Sequence, residues 1–417
     1  MEGEPHDGPA GPGGWRNIYL LVAGNAVSTL GSSLYLIVVV LLLKDLTDSG
    51  LLLGLYQFLA LLPAALLMPL TGSVIDRLPR RSIVIGSDLF RGVLMLLLAA
   101  AWLVGPLSSP ITLLFVSFFI GLGNALFVPA AQALIPELAP DNRLEEANGL
   151  RATTNQLSNL AGNALGGLAY AFLAAPFLFL VNGVSFLLSA LQELLIEVPD
   201  ESNRKRPGEA PELGVLAASR EGLALVAANG ELRRRILSQV ALFFISPPVV
   251  LSLPFLVEDR LGRPDWLVGL LFATMLGGAI VAFLLLSRRR GRGGSLLPLA
   301  YTLLAAALLA VPPFLNLSTL FVAAAAAGAA AGTVYIEVSS EIQRRFPREF
   351  HGRLFAIVEA GNALIAPMAY LLSGALIDLL SPRVELIYLF AALPTLVWGA
   401  ILWVARLRSL QPRRRSD

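Results

Sequence analysis

Apolar runs long enough to cross a lipid bilayer recur along the whole chain, and no other feature limits its fold as strongly. A spanning helix needs about 20 mostly apolar residues, whereas a helix of a soluble core needs only one apolar face. The runs predict twelve helices, at 17–43, 50–75, 82–104, 110–136, 150–173, 175–197, 235–257, 265–287, 295–315, 317–341, 351–379 and 384–405. Helix is the expected element because each backbone N–H and C=O must be satisfied within its own segment once water is absent. Composition agrees: 14% of the 417 residues are charged, against about 25% in a soluble domain. The expected fold class is an all-α polytopic membrane protein, twelve transmembrane helices in two six-helix bundles.

The connections set the organisation. Most are short, so helices adjacent in sequence should be antiparallel neighbours. The long one is 198–234, which opens on the charged, Pro-rich stretch Pro199–Pro211. Its later part places Leu213, Leu216, Leu223 and Val226 where one face of a surface helix would lie. The expected division is a disordered tail at 1–16, a six-helix bundle at 17–197, a linker at 198–234, a second bundle at 235–405 and a basic tail at 406–417. The first tail carries Glu2, Glu4, His6 and Asp7 before the first apolar run, unlike the basic start of a cleavable signal.

Basic residues set the expected orientation. With a cytoplasmic N-terminus, 26 of the 31 Lys and Arg fall on the cytoplasmic side. Lys44, Arg260, Arg263 and Arg383 fall outside, and Arg91 lies within a helix. That asymmetry is the positive-inside pattern, and a shift of one helix would scramble it. The reading is therefore a multi-pass protein of a bacterial cytoplasmic membrane with both termini cytoplasmic. The halves also match at an offset of 207: Pro140 with Pro347, Asn155 with Asn362, Gly167 with Gly374. Parallel six-helix repeats are a transporter pattern, with the substrate near the bilayer midplane.

Several chemistries lack material. Without cysteine there are no thiolate metal sites, disulfides or thiol nucleophiles. The two histidines, His6 and His351, lie outside the apolar runs. No nucleotide-binding motif, paired catalytic carboxylates or nucleophile with its base stands out, so neither an enzyme nor an ATP-driven pump is expected. No cofactor, metal or nucleic acid enters the reading.

Polar side chains inside the apolar runs are the candidate site. Asp88, Glu337 and Glu359 each lie about 10 Å along a helix from an arginine at its basic end. Ionisable groups at such depth cost several kcal/mol and are functional candidates. Arg91 follows Asp88 by three residues and can pair with it on one helix face. Glu337 and Glu359 have no obvious partner on their own helices, which suits proton coupling; pairing with loop arginines is the alternative. Asn155, Asn159 and Asn163 recur every four residues beside Gln156. Glu359, Asn362 and Tyr370 repeat the idea, Asn25, Ser28 and Ser32 share one side of the first helix, and Asn124 adds the fourth. Amides cannot face lipid unsatisfied, so these side chains bind neighbouring helices or line a polar cavity.

Two motifs and several longer stretches carry a resemblance. The first motif runs Gly72, Ser73, Val74, Ile75, Asp76, Arg77, then Leu78, Pro79, Arg80 and Arg81. It resembles the loop signature of the major facilitator superfamily. The cognate stretch Ser287–Gly294 keeps the positive charge but not the Asp. The second motif, Gly162, Asn163, Ala164, Leu165, Gly166, Gly167, is similar to that family's antiporter signature, with Asn163 in place of a Pro. Residues 133–138 with Ala147 and Asn148, 181–186, 220–223 with 231–234, and 346–353 resemble its drug and macrolide efflux-like branch, grouped with siderophore exporters. The resemblance implies a monomeric secondary transporter working by alternating access. Gly72, Asp76, Arg77, Arg80 and Arg81 would form a conformational latch. The implied cargo is an amphipathic small molecule, exported against protons. A lipid or lysolipid flippase, an uncoupled facilitator, or a transporter-like sensor or scaffold are the other readings.

Overall fold

The structure, a computed structural model, describes residues 14–105, 108–139, 143–198, 215–288 and 295–410; within these, the side chains of 69–77, 145, 215–220, 287–288, 348–349, 352 and 409–410 are outside the description. The described residues form thirteen α-helices and no strand. They are α1 Gly14–Thr47, α2 Gly50–Arg77, α3 Arg80–Val104, α4 Pro110–Leu138, α5 Leu144–Phe172, α6 Ala175–Glu193 and α7 Val215–Ala228. Then follow α8 Gly230–Phe255, α9 Trp266–Arg288, α10 Leu297–Ala310, α11 Leu317–Arg345, α12 Arg348–Leu380 and α13 Ile387–Leu410. All except α7 coincide with the twelve expected spans.

Ten of the described helices are long and apolar enough to cross a membrane by themselves; α5 and α10 are not. Helix α5 carries its Asn stripe through the middle of the segment. It can cross only where other helices take up those amides. Helix α10 has 14 residues, a rise of about 21 Å against a hydrocarbon core of about 30 Å.

Local chemistry explains the helix ends. Ser109 accepts the Thr112 N–H at the start of α4, and Pro110 follows it where no N–H is needed. Asn316 accepts the Thr319 N–H at 2.9 Å at the start of α11. These caps lie 207 residues apart, and α4 and α11, each of 29 residues, begin and end at that same offset. Asn229 caps α8 through the N–H groups of Glu231 and Leu232. Helix α8 contains Pro247, Pro248 and Pro254, and its ladder passes into a short π-helical turn at Leu256–Arg260.

The chain divides into two compact units, 1–47 with 59–210, and 48–58 with 211–417. In the first, α1 packs on α4, α5 and α6, and α3 packs on α4 and α6. In the second, α8 packs on α11, α12 and α13, and α10 packs on α11 and α13. The packing scheme is thus the same in both, which is what a duplicated six-helix unit requires.

The glycine motif in α5 has a packing role inside the first unit. A Cβ on Gly162 would lie 2.5 Å from the Leu30 carbonyl oxygen, and one on Gly166 2.8 Å from the Leu34 carbonyl oxygen. Backbone therefore meets backbone where α5 crosses α1, as small residues permit in lipid. In the second unit, Gly54 and Gly374 bring the start of α2 onto α12; a Cβ on Gly54 would lie 2.5 Å from the Tyr370 carbonyl oxygen. Residues 1–13 and 411–417 of the tails and 199–214 of the linker lie outside the described residues, whereas 14–16 open α1 and 406–410 close α13, both helical where tail was expected. Residues 215–228 of the linker form α7, tied to α12 by an Arg353–Glu221 ion pair at 2.5 Å.

Candidate functional site

In the first unit the polar side chains gather at two places. One is the α1–α5 contact. Ser33 donates to Asn159 Oδ1 at 2.6 Å, and Thr29 donates to Asn25 Oδ1 at 3.2 Å. Asn25 and Ser28 are buried in α1. Oδ1 of Asn155 and Oδ1 of Asn163 are buried with no donor. A buried acceptor without a donor costs about 1–3 kcal/mol, so the stripe carries unsatisfied hydrogen-bonding capacity.

The other place is a charged cluster where α3, α4 and α6 meet. Asp88 and Arg91 are buried and paired, three residues apart on α3. Arg91 also donates to Asn124 of α4 and to the Ser87 carbonyl oxygen. Its guanidinium lies 4.3 Å from the Phe127 ring centroid and 4.4 Å from that of Phe186. A planar cation held by two rings and three acceptors is immobilised, a role that Arg fills and Lys does not. Glu193, fully buried at the end of α6, brings a second carboxyl to the cluster.

The basic pair after Pro79 is tied to its own unit. Arg80 bridges Glu137 at 2.8 Å and donates to the Ala133 carbonyl oxygen. Arg81 donates to the carbonyl oxygens of Glu193 and Leu194 at the end of α6, where a cation also meets the negative end of the helix dipole. Gly72, Asp76 and Arg77 fall on the last turns of α2, and their side chains are outside the description.

In the second unit Glu337 has partners that its own helix could not show. It accepts from Arg235 at 3.0 Å, Ser295 Oγ at 2.6 Å and the Leu296 N–H at 2.5 Å. Arg235 also reaches Glu231 and Glu341, and Arg345 reaches Glu231 and Glu341. The five charged residues join the start of α8 to the last turns of α11, and Ser295 and Leu296, just before α10, bind the same Glu337 carboxylate. Glu359 differs: it is exposed on α12, between Val358, which is buried, and Ala360. Asn362 is half-buried one turn on, and the Tyr370 hydroxyl is hydrogen-bonded with the Gln57 side chain.

Sequence reading missed Glu193, Arg235 and Glu341. Glu193 stands at the end of an apolar run, and Arg235 and Glu341 are the terminal residues of two expected helices, beside basic connections. The available signal was spacing: Ser189, Gln192 and Glu193 share one helical face, as do Glu337 and Glu341.

Ten helices long and apolar enough to span a membrane, with α5 and α10 in the places of the other two expected spans, two units with one packing scheme and polar side chains set inside the helices define a multi-pass membrane transporter. A family model for the Major Facilitator Superfamily matches residues 21–315 and 265–417. The chain belongs to that superfamily. It is 25% identical over 410 residues to the uncharacterized MFS-type transporter YfiS of Bacillus subtilis (strain 168), covering 96% of this chain and 94% of that one. It is 22% identical over 375 residues to macrolide efflux protein A of Streptococcus pyogenes, covering 87% and 90%. Among solved structures, the nucleoside transporter NupG is similar with a TM-score of 0.69 at 12% identity, covering 93% of this chain and 99% of that one. A bacterial homologue of the human lysosomal transporter Spinster, inward-facing and unoccupied, has a TM-score of 0.64 at 16% identity, covering 97% and 96%. At these identities the two structures bear on fold alone.

Proposed function

We propose that this transporter exports an amphipathic small molecule from the cytoplasm by alternating access, in exchange for protons. The observation that carries the reading is the polar lining material of the spans: Asn155 and Asn163 keep buried acceptors without donors, and Glu359 interrupts an apolar stretch of α12. A substrate donor or water would satisfy the first, and proton exchange gives the second a use. Asn25, Asn124, Asn159, Asn362 and Tyr370 complete the polar set. Similarity to macrolide efflux protein A along most of both chains supports export over import.

Coupling is assigned to Glu359. Glu337 and Asp88 are buried with Arg235 and Arg91, whereas Glu359 is exposed on α12, where its carboxyl can exchange protons. Gly72, Asp76 and Arg77 act as the conformational latch. Asp76→Asn is then expected to leave folding intact and to lower transport, whereas undiminished transport would leave the loop a topology determinant only. The distribution of positive residues supports cytoplasmic termini, and in this reading the chain acts as a monomer in the bacterial inner membrane. Reporters fused after Ala228 and after Arg408 should both read as cytoplasmic.

The deciding experiment is uptake into inside-out vesicles, with and without an imposed pH gradient, across a panel of dyes, macrolides and lysolipids. Gradient-driven accumulation of a dye or macrolide is expected. Gradient-independent equilibration would make the protein a facilitator, and movement of lysolipid alone would make it a flippase.

A further inference from the structure

The cluster at α3, α4 and α6 contains two buried carboxyl groups and one cation. Asp88 and Glu193 are both wholly buried, and Arg91 is 3% exposed. The two carboxyl groups lie in side-chain hydrogen-bonding contact with each other. Arg91 pairs with Asp88 Oδ1. Ser189 donates to Glu193 Oε1 at 3.4 Å and also lies beside Asp88. The remaining oxygens, Asp88 Oδ2 and Glu193 Oε2, are buried and receive no donor.

Among the described residues, no second cation pairs with either carboxyl group. Helix α4 contributes Asn124, whose Oδ1 is taken by Arg91. Helix α1 contributes Gly24, packed against Ser189 and Gln192, and carries no charged residue from 18 to 43. On α6, Gln192 Oε1 is itself an acceptor without a donor. Arg81, on α3, is bound to the carbonyl oxygens of Glu193 and Leu194. Two ionised carboxylates here would leave one negative charge uncompensated in a site without water-facing surface, which is costly. Each carboxyl group also keeps one buried oxygen without a donor, in side chains that contact each other.

We propose that Asp88 and Glu193 form a buried carboxyl–carboxylate pair that holds one proton between them, a proton-binding site of the first unit. The proton removes the excess charge and provides the missing donor. Arg91, clamped by Phe127 and Phe186, fixes the remaining negative charge on the pair. Like charges sharing one site cannot both ionise freely, so the pair takes up and releases its proton as a unit. The site stands whether or not Glu359 couples transport.

The test is infrared spectroscopy of the full-length protein in lipid nanodiscs, following the C=O stretch of protonated carboxyl groups and its shift in D2O. Wild-type protein at neutral pH should show a band that loses the equivalent of one carboxyl in Glu193→Gln and likewise in Asp88→Asn. Absence of any such band in the wild type overturns the proposal without recourse to a variant. A band unchanged in both variants also overturns it, because the proton then belongs elsewhere. Loss in Glu193→Gln with retention in Asp88→Asn assigns the proton to Glu193 alone and overturns the shared pair. Thermal unfolding of each variant checks that the band is read from folded protein.

Discussion

The carboxylate of Asp378, near the end of α12, accepts the backbone N–H of Gly50, the first residue of α2, at 2.5 Å. It also accepts from the Leu51 N–H at 3.1 Å and from Ser49 Oγ at 3.0 Å. The first turn of a helix has N–H groups without intrahelical partners and the positive end of the dipole. Here a side chain more than three hundred residues away in sequence supplies what a local cap usually does. Gly54 and Gly374 bring the two backbones close enough for it to reach.

Asp378→Asn is expected to cost about 1 kcal/mol, in line with loss of a helix cap. Gly374→Val should cost more, since its side chain would meet the backbone of Gly50 and force α2 off α12. Thermal unfolding in nanodiscs would rank the two. Wild-type stability in Gly374→Val would show that the contact is not tight.

Arg91→Met removes the cation of the α3–α6 cluster and is expected to destabilise by about 3–5 kcal/mol, the usual result of breaking a buried pair. Arg91→Lys should recover only part of this. Its ammonium keeps the charge but cannot stack flat against Phe127 and Phe186 while bonding both Asp88 and Asn124. Denaturation of the three proteins side by side checks the order.

Glu337→Gln is expected to lower stability by about 1–3 kcal/mol, because Arg235 loses a charged partner. It should leave the response of transport to a pH gradient unchanged. Loss of that response at normal stability would return Glu337 to the coupling step.

Glu359→Gln keeps shape and removes titration. Substrate binding should persist while the effect of a pH gradient on vesicle uptake disappears. Accumulation with unchanged pH dependence would show that Glu359 is not the coupling group, and would favour the facilitator or flippase reading.

The positions of twelve spans were legible because hydrophobicity over about 20 residues is a local, additive property. The helix α3 pair was legible for a similar reason: residues three apart share a face in any helix. Even the polar stripe of α5 could be read, since a fourfold spacing needs no tertiary information. The family resemblance followed from short motifs at fixed offsets.

What the sequence by itself determined is therefore everything set by helical period and by transfer from water to lipid: the all-helical class, the spans and the candidate polar faces. The tertiary structure decided which polar groups are already satisfied. Glu337 read as unpartnered because Arg235, Ser295 and Leu296 come from other helices. Glu193 read as the end of an apolar run because its carboxyl neighbour lies on α3. Gly162 and Gly166 read as a signature, and the crossing of α1 made them a packing surface. Partner choice depends on which helix faces meet, and neither periodicity nor hydropathy along one segment contains that information. In a medium without water, it is this meeting of faces that separates a spent polar group from one still available for transport.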